Sequence, residues 1–369
     1  LRKLFNHQNR PDLFLLGTVL TLLIVGVVMV YSSSYIWADY KYADTLFFVK
    51  RQLLFAGVGV IAMFFIMVFP YGTWKKYAKV LLFVCFFLLL LVLIPGVGMV
   101  RGGARSWIGV GAFSIQPSEF MKLGLIIFLS AYLAMNQKYI TSFKKGFFPS
   151  LILVFTAFGL IMLQPDLGTG MVLVLTCILM IYAAGARLTH FVGLALLGLT
   201  GFVFLILSAP YRISRITAFL NPWEDPLGDG FQIIQSLYAI GPGGLMGVGF
   251  GESLQKYFYL PEPQTDFIFA ILGEELGFIG GSLVIGLFIL LFWRGIKIAI
   301  EAPDLFGKFL ALGIISMLTI QVMINISVVI GLIPVTGITL PFLSYGGSSL
   351  TLTLCSVGIL LNISRYTKI

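Results

Sequence analysis

The sequence predicts an all-α polytopic membrane protein of about ten transmembrane helices, with both termini cytoplasmic and one long extracellular loop between spans seven and eight. Three observations predict it. The 369 residues are 59% hydrophobic and 11% charged, with a mean hydropathy of +1.02. A soluble core cannot bury that much apolar surface, whereas a bilayer accepts it. Apolar runs of roughly 20 residues, long enough to cross as helices, recur along the whole chain. The formal charge of +9 lies in short basic clusters between those runs rather than on one face, which fits membrane orientation better than a nucleic-acid partner.

The expected spans are about 13–33, 53–70, 78–96, 119–135, 147–163, 168–186, 189–208, 267–293, 309–332 and 348–364, within a single domain covering 1–369. The first follows Arg2, Lys3 and Arg10. Its apolar core exceeds a signal-peptide h-region and no cleavage site follows, so it is expected to stay as a membrane anchor. The clusters Lys75–Lys76–Lys79, Lys138–Lys144–Lys145, Arg187, Arg294–Lys297–Lys308 and Arg365–Lys368 fall on the same side as the N-terminal one. By the positive-inside rule that side is cytoplasmic.

Cys85, Cys177 and Cys355 each sit inside an apolar run without CxxC spacing and read as buried small hydrophobes. With only His7 and His190 available, a histidine metal centre or a Ser-His-Asp triad is excluded.

The unusual residues collect on the opposite, outer side. A glycine-rich loop bearing Arg101, Arg105 and Trp107 leads into Gln116-Pro-Ser-Glu119. There Glu119 and Lys122, three residues apart on one helix face, can pair, as a structural ion pair or as part of a site. Gln164-Pro-Asp-Leu-Gly-Thr169 predicts a tight turn in which Asp166 caps the next helix. The long loop 209–266 begins with Arg212 and Arg215. It then contains Phe231–Tyr238, whose spacing predicts a short amphipathic helix on the membrane surface, with Ile233, Ile234, Leu237 and Tyr238 apolar and Gln232, Gln235 and Ser236 polar. The glycines of Ile240–Gly251 match neither a P-loop nor a dinucleotide fingerprint and favour a re-entrant turn.

Tyr257–Gly277 carries Glu262 and Asp266 from a proline-punctuated loop into an apolar run holding Glu274 and Glu275. Ionisable groups at membrane depth are costly and mark sites or pairings. Asp266, at the entrance to span eight, serves either as a helix cap or as a site carboxylate. Glu274 lies roughly 12 Å deeper along a continuous helix, so it and Glu275 read as structural or gating groups. The last outer loop, Pro334–Ser349, with two prolines and several glycines around Ser344, predicts a broken helix lining a cavity.

These motifs, Gln116-Pro-Ser-Glu119, Gln164-Pro-Asp-Leu-Gly-Thr169, Asn221-Pro-Trp-Glu-Asp-Pro226, Leu260-Pro-Glu-Pro-Gln-Thr-Asp-Phe-Ile-Phe-Ala270 and Leu343-Ser-Tyr-Gly-Gly-Ser348, occur in one order along the chain. In them the sequence resembles the SEDS family (FtsW, RodA and SpoVE proteins), and within it the division and sporulation branch more than the elongation branch. The resemblance implies a peptidoglycan glycosyltransferase that polymerises lipid II at the outer face of the cytoplasmic membrane, beside a class B penicillin-binding protein and other divisome or sporulation proteins. It places the essential aspartate on Asp266, with Glu119, Lys122 and Arg105 beside the cavity.

An inverting displacement needs a base on the attacking hydroxyl and positive charge on the leaving pyrophosphate. Asp266 suits the first role. Arg105, Arg212, Arg215 and Lys122 are the outer cations for the second, and a divalent cation (Mg or Mn) shared with the pyrophosphate is the alternative. Trp107, Trp223, Tyr257 and Tyr259 are candidates for sugar stacking or interfacial anchoring. Asp166, Glu262 and Ser344 complete the expected supporting set. A lipid II flippase and a non-enzymatic scaffold for a transpeptidase are the competing readings.

Overall fold

In the computed structural model, which describes residues 10–367 apart from 102, 111, 112, 209 and 229, the chain opens with α1 (Leu13–Tyr42), α2 (Phe47–Val68) and α3 (Gly72–Leu93). A three-stranded antiparallel sheet follows, β1 (Gly98–Arg101), β2 (Ala104–Val110) and β3 (Phe113–Ile115) in that spatial order. Then come α4 (Pro117–Asn136), α5 (Phe148–Met162), α6 (Leu167–Ala183), α7 (Leu188–Leu207), α8 (Pro210–Leu220), α9 (Phe231–Gly243), α10 (Ile268–Glu301), α11 (Leu305–Val329) and α12 (Gly347–Ser364). Arg2, Lys3, His7 and Lys368 lie outside the described residues, as do the side chains of Arg101, Arg212 and Arg215.

The chain is a multi-pass membrane protein. Among the described residues eight helices are long and apolar enough to cross a bilayer, and two shorter apolar helices, 167–183 and 188–201, accompany them. Each expected span coincides with one helix, although α1 runs nine residues past the expected end at 33, to Tyr42. Helices α4, α11 and α12 are the most buried, while none of the described α7 side chains is buried, which puts α7 at the edge. Packing in lipid gains little from the hydrophobic effect, so helices approach through small residues. Gly59 of α2 faces Leu354 of α12, and a Cβ on Gly358 of α12 would lie 2.7 Å from the Met63 carbonyl oxygen.

Near Asp12, buried polar groups join α1, α10 and α12. Asp12 caps α1 through the Leu15 N–H and pairs with Arg294 of α10 at 2.7 Å. Its own N–H reaches Ser364 of α12. The three cysteines are free, with Cys85 and Cys177 buried.

The structure corrects the sequence reading in three places. The loop after α3 folds as a sheet, turning through Gly103 at φ +81°. The predicted surface helix extends from Phe231 to Gly243, and its faces divide differently: Ile233 and Ile234 are buried while Leu237 and Tyr238 are exposed, and Ser236, assigned to the polar side, is buried with its hydroxyl donating to the Val329 carbonyl at 2.7 Å. The expected broken helix at 334–349 is an irregular connection, and the break falls in α10 instead, where Gly277 adopts φ 64°, ψ −164°.

That break is closed by the glycine-rich segment after α9. The N–H groups of Val248 and Gly249 donate to the carbonyls of Glu274 and Glu275 at 2.9 and 3.1 Å. The N–H groups of Phe278 and Ile279 donate to the carbonyls of Gly244 and Leu245 at 2.9 and 3.1 Å. Backbone polar groups freed inside an apolar protein need such partners. Only glycine fits there, since a Cβ on Gly247 (φ +80°) would lie 2.1 Å from the Glu275 carbonyl oxygen.

Candidate active site

Asp266 is half-buried in the turn before α10, whose cap is Phe267 rather than Asp266 itself. The Thr265 hydroxyl donates to Asp266 Oδ1 at 2.9 Å, orienting the carboxylate. From α11 the buried Asn325 side-chain amide donates to the main-chain carbonyls of Asp266 and Ile338, at 2.7 and 2.8 Å. Two residues before Asp266, the Gln264 carbonyl accepts the Tyr345 N–H at 2.8 Å. The aspartate loop is thereby tied to the 338–345 connection.

Ser344 closes a turn inside it, accepting the Leu340 N–H on its hydroxyl at 2.8 Å, while buried Gln52 of α2 holds its carbonyl at 3.2 Å. Its hydroxyl thus shapes the loop. Glu262 is exposed, and its carbonyl accepts from Thr265.

A second cluster forms where α4 begins. Lys122 and Glu119 pair at 2.8 Å, both nearly wholly buried. Asp166 caps α6 through the Thr169 N–H at 3.1 Å, and its other oxygen accepts from Gln116 at 2.9 Å and Ser118 at 3.3 Å. Burial pushes the Asp166 carboxyl above its ordinary range; the Thr169 hydrogen bonds pull it down, while Glu119 raises it and Lys122 lowers it. The two clusters touch through one segment. A Cβ on Gly168, just past Asp166, would lie 2.6 Å from the Thr336 carbonyl oxygen and 3.0 Å from Ile338 Cγ1, and Ile338 is the other residue Asn325 holds.

The cations differ in reach. Arg105 is exposed on β2, whereas Lys122 is committed to Glu119. Arg212 and Arg215 belong to α8, with side chains outside the described ones. Trp223 packs edge-on to Tyr238 at 5.9 Å. A cavity of about 310 Å³ opens among Leu227, Gly228, Phe231–Ile233, Pro261 and Val335, beside the loop leading to Asp266. Among the described residues no group of three or more His, Cys, Asp or Glu side chains converges as a metal cage. The carboxylate set therefore fits a divalent cation only if the substrate supplies most of the oxygens, as phosphates commonly do for Mg²⁺.

Glu274 and Glu275 are expected from the sequence as structural or gating groups pairing with neighbouring helices; of the two only Glu275 reaches one, α1, and both hold the loop at 253–256. Glu274 accepts from Ser253 and from the Leu254 N–H; Glu275 accepts from Ser32 of α1 and from buried Lys256. Sequence reasoning missed Asn325, Gln264 and Gln52. Asn325 carried a signal, because with Gln321 it places two amides four residues apart inside an apolar helix.

A discontinuous-helix membrane bundle with an aspartate loop tied to its neighbours by hydrogen bonds to its main-chain carbonyls is the class of protein this fold defines. The chain belongs to the FtsW/RodA/SpoVE family, described as cell cycle protein, which it matches over residues 13–369. It is 71% identical over 361 residues to stage V sporulation protein E of Bacillus subtilis (strain 168), covering 98% of this chain and 99% of that one. It is 46% identical to a probable peptidoglycan glycosyltransferase FtsW of Geobacter sp. (strain M18), covering 97% of each. Among solved structures it resembles a chain of a peptidoglycan synthase complex that coordinates polymerization and crosslinking, with TM-score 0.81, 32% identity and coverage of 96% and 98%. It also resembles the rod shape determining protein RodA of Thermus thermophilus, with TM-score 0.72, 28% identity and coverage of 97% and 98%.

Proposed function

We propose that this chain is a peptidoglycan glycosyltransferase that polymerises lipid II at the outer face of the cytoplasmic membrane, in division or spore cortex synthesis, with Asp266 as its general base. The relatives' named activity supports the reaction. The placement of Asp266, half-buried, oriented by Thr265 and fixed through Asn325, is the single observation that supports the residue.

In this reading Asp266 takes the proton from the C4 hydroxyl of one sugar as that oxygen attacks the anomeric carbon of the other. The anomeric carbon–oxygen bond to the lipid pyrophosphate breaks, the pyrophosphate leaves with the electron pair, and the configuration inverts. Holding the base within reach of the hydroxyl is the chain's main contribution, since orientation alone supplies much of such a rate. Arg105 and Lys122 stand for the charge on the leaving group, with Glu119 setting the position of Lys122. A divalent cation shared between Asp266 and the pyrophosphate would screen the same charge, and no step above is routed through it. In this reading the ten expected crossings and cytoplasmic termini turn the Asp266 end outward, which suits a partner of the class B penicillin-binding type that crosslinks the product.

The test is polymerisation of purified lipid II in detergent by wild type and Asp266→Asn, each alone and with the crosslinking partner. Glycan from wild type and none from a folded, partner-binding Asp266→Asn is expected. Equal product from both removes Asp266 as the base, and product from neither points to a flippase or scaffold.

A further inference from the structure

The two carboxylates buried in α10 face a set of groups that the chemistry above does not use. Lys256 Nζ lies 2.8 Å from Glu275 Oε1, with both side chains wholly buried. The same ammonium donates to the Gly251 carbonyl and stands 4.9 Å from the centre of the Tyr35 ring of α1. From α1 the Ser32 hydroxyl lies 2.7 and 2.6 Å from the two oxygens of Glu275. Beside it, Glu274 holds the Ser253 hydroxyl and the Leu254 N–H, the latter at 2.8 Å. The main-chain carbonyls of both glutamates are already engaged by Val248 and Gly249. Two adjacent residues thus bind the chain from 248 to 256 through both their carboxylates and their main-chain carbonyls.

Between Lys256 and Glu275 the chain makes a closed excursion, and Asp266 lies on it. Near Asp266 the excursion is anchored by Asn325 on the Asp266 carbonyl and by the Tyr345 N–H on the Gln264 carbonyl; at its base it is anchored by the ion pair. A buried ion pair is a poor source of stability compared with well-packed apolar side chains, and its best-supported use is to select one arrangement among several. Here the arrangement selected is that of the loop carrying the base, relative to α1 and α10.

We infer that Lys256 and Glu275, with Ser32, are positioning residues for Asp266: the pair closes the 256–275 excursion onto α10 and α1, and so fixes where the carboxylate meets the sugar hydroxyl. The inference rests on Asp266 being the base.

The test uses the full chain with its crosslinking partner as wild type, Lys256→Arg, the double variant Lys256→Met/Glu275→Met, and Asp266→Asn. Removing both charges avoids leaving one stranded. The double variant is expected to keep its KM for lipid II within about threefold while kcat falls about 10- to 100-fold, as for a misplaced catalytic group. Lys256→Arg, which keeps the charge on Glu275, is expected to recover kcat to within a few-fold of wild type.

Hydrogen exchange over residues 257–266 is expected to speed up in the double variant and stay unchanged in Asp266→Asn. This readout does not depend on catalysis: if wild type makes no glycan, the glycosyltransferase reading fails while exchange still judges the tie. Ser32→Ala, which removes only one hydroxyl, is the milder variant should the double one not fold, and is expected to speed exchange over the same residues. Wild-type kcat, a rise confined to KM, or unchanged exchange over 257–266 overturns the inference.

Discussion

The side-chain amide of Asn325 donates to the main-chain carbonyl of Asp266 at 2.7 Å, and this one bond from α11 fixes the backbone of the residue proposed as the base. Because the same amide also holds Ile338, Asn325→Leu releases two carbonyls at once. Stranded buried acceptors cost about 1–3 kcal/mol each. The expected outcome is a lower melting temperature and a polymerisation rate reduced about 10-fold or more, read from scanning fluorimetry and initial rates on lipid II.

The Glu119–Lys122 pair separates stability from chemistry. Lys122→Met leaves a nearly buried carboxylate unpaired, which costs about 3–5 kcal/mol, whereas Glu119→Leu/Lys122→Met removes both charges and should regain most of that. If Lys122 also meets the leaving pyrophosphate, the double variant melts close to wild type yet polymerises at least 10-fold more slowly. Recovery of both properties would make the pair purely structural.

Gly247 is where the loop seals the break in α10. A Cβ there would strike the Glu275 carbonyl oxygen at 2.1 Å from a positive-φ backbone, so Gly247→Ala should sharply reduce the yield of folded, monodisperse protein. Gly241, with open space around its Cβ position, is the control. Gly241→Ala should change the melting temperature little, since substitutions away from packed features stay within about 0.5 kcal/mol.

At the opposite end Arg294 neutralises Asp12, which also caps α1. Asp12→Asn keeps a capping side chain but leaves Arg294 without its partner charge. Arg294→Met strands the carboxylate in turn. Both should lower the melting temperature, while the ratio of KM values to wild type stays near one, because no group of the proposed site touches this pair.

Much of the site was legible in order but not in depth. Asp166 as a helix cap, Glu119 with Lys122 as a pair, and Glu274 with Glu275 as paired buried groups follow from spacing and from the cost of charge in an apolar run. The partner of Glu275 did not follow. Lys256 falls in the long loop and Ser32 near the end of the first expected span, and nothing local indicates that Glu275 takes a partner 243 positions away in sequence. The sheet at 98–115 was hidden by its glycines, which read as loop punctuation although one of them is the turn of a hairpin.

Composition and hydropathy alone determined that the chain lives in a membrane as a bundle of helices, since 59% hydrophobic residues in repeated 20-residue runs admit no other solvent. The motifs alone determined the family. Tertiary structure decided which helix is broken and what closes it. Gly277 looks like any other glycine in an apolar run; its role exists only because another segment brings four backbone hydrogen bonds to the gap. It likewise decided that Asn325 holds Asp266, because a hydrogen bond across 59 residues of chain is a property of α11 meeting the turn before α10.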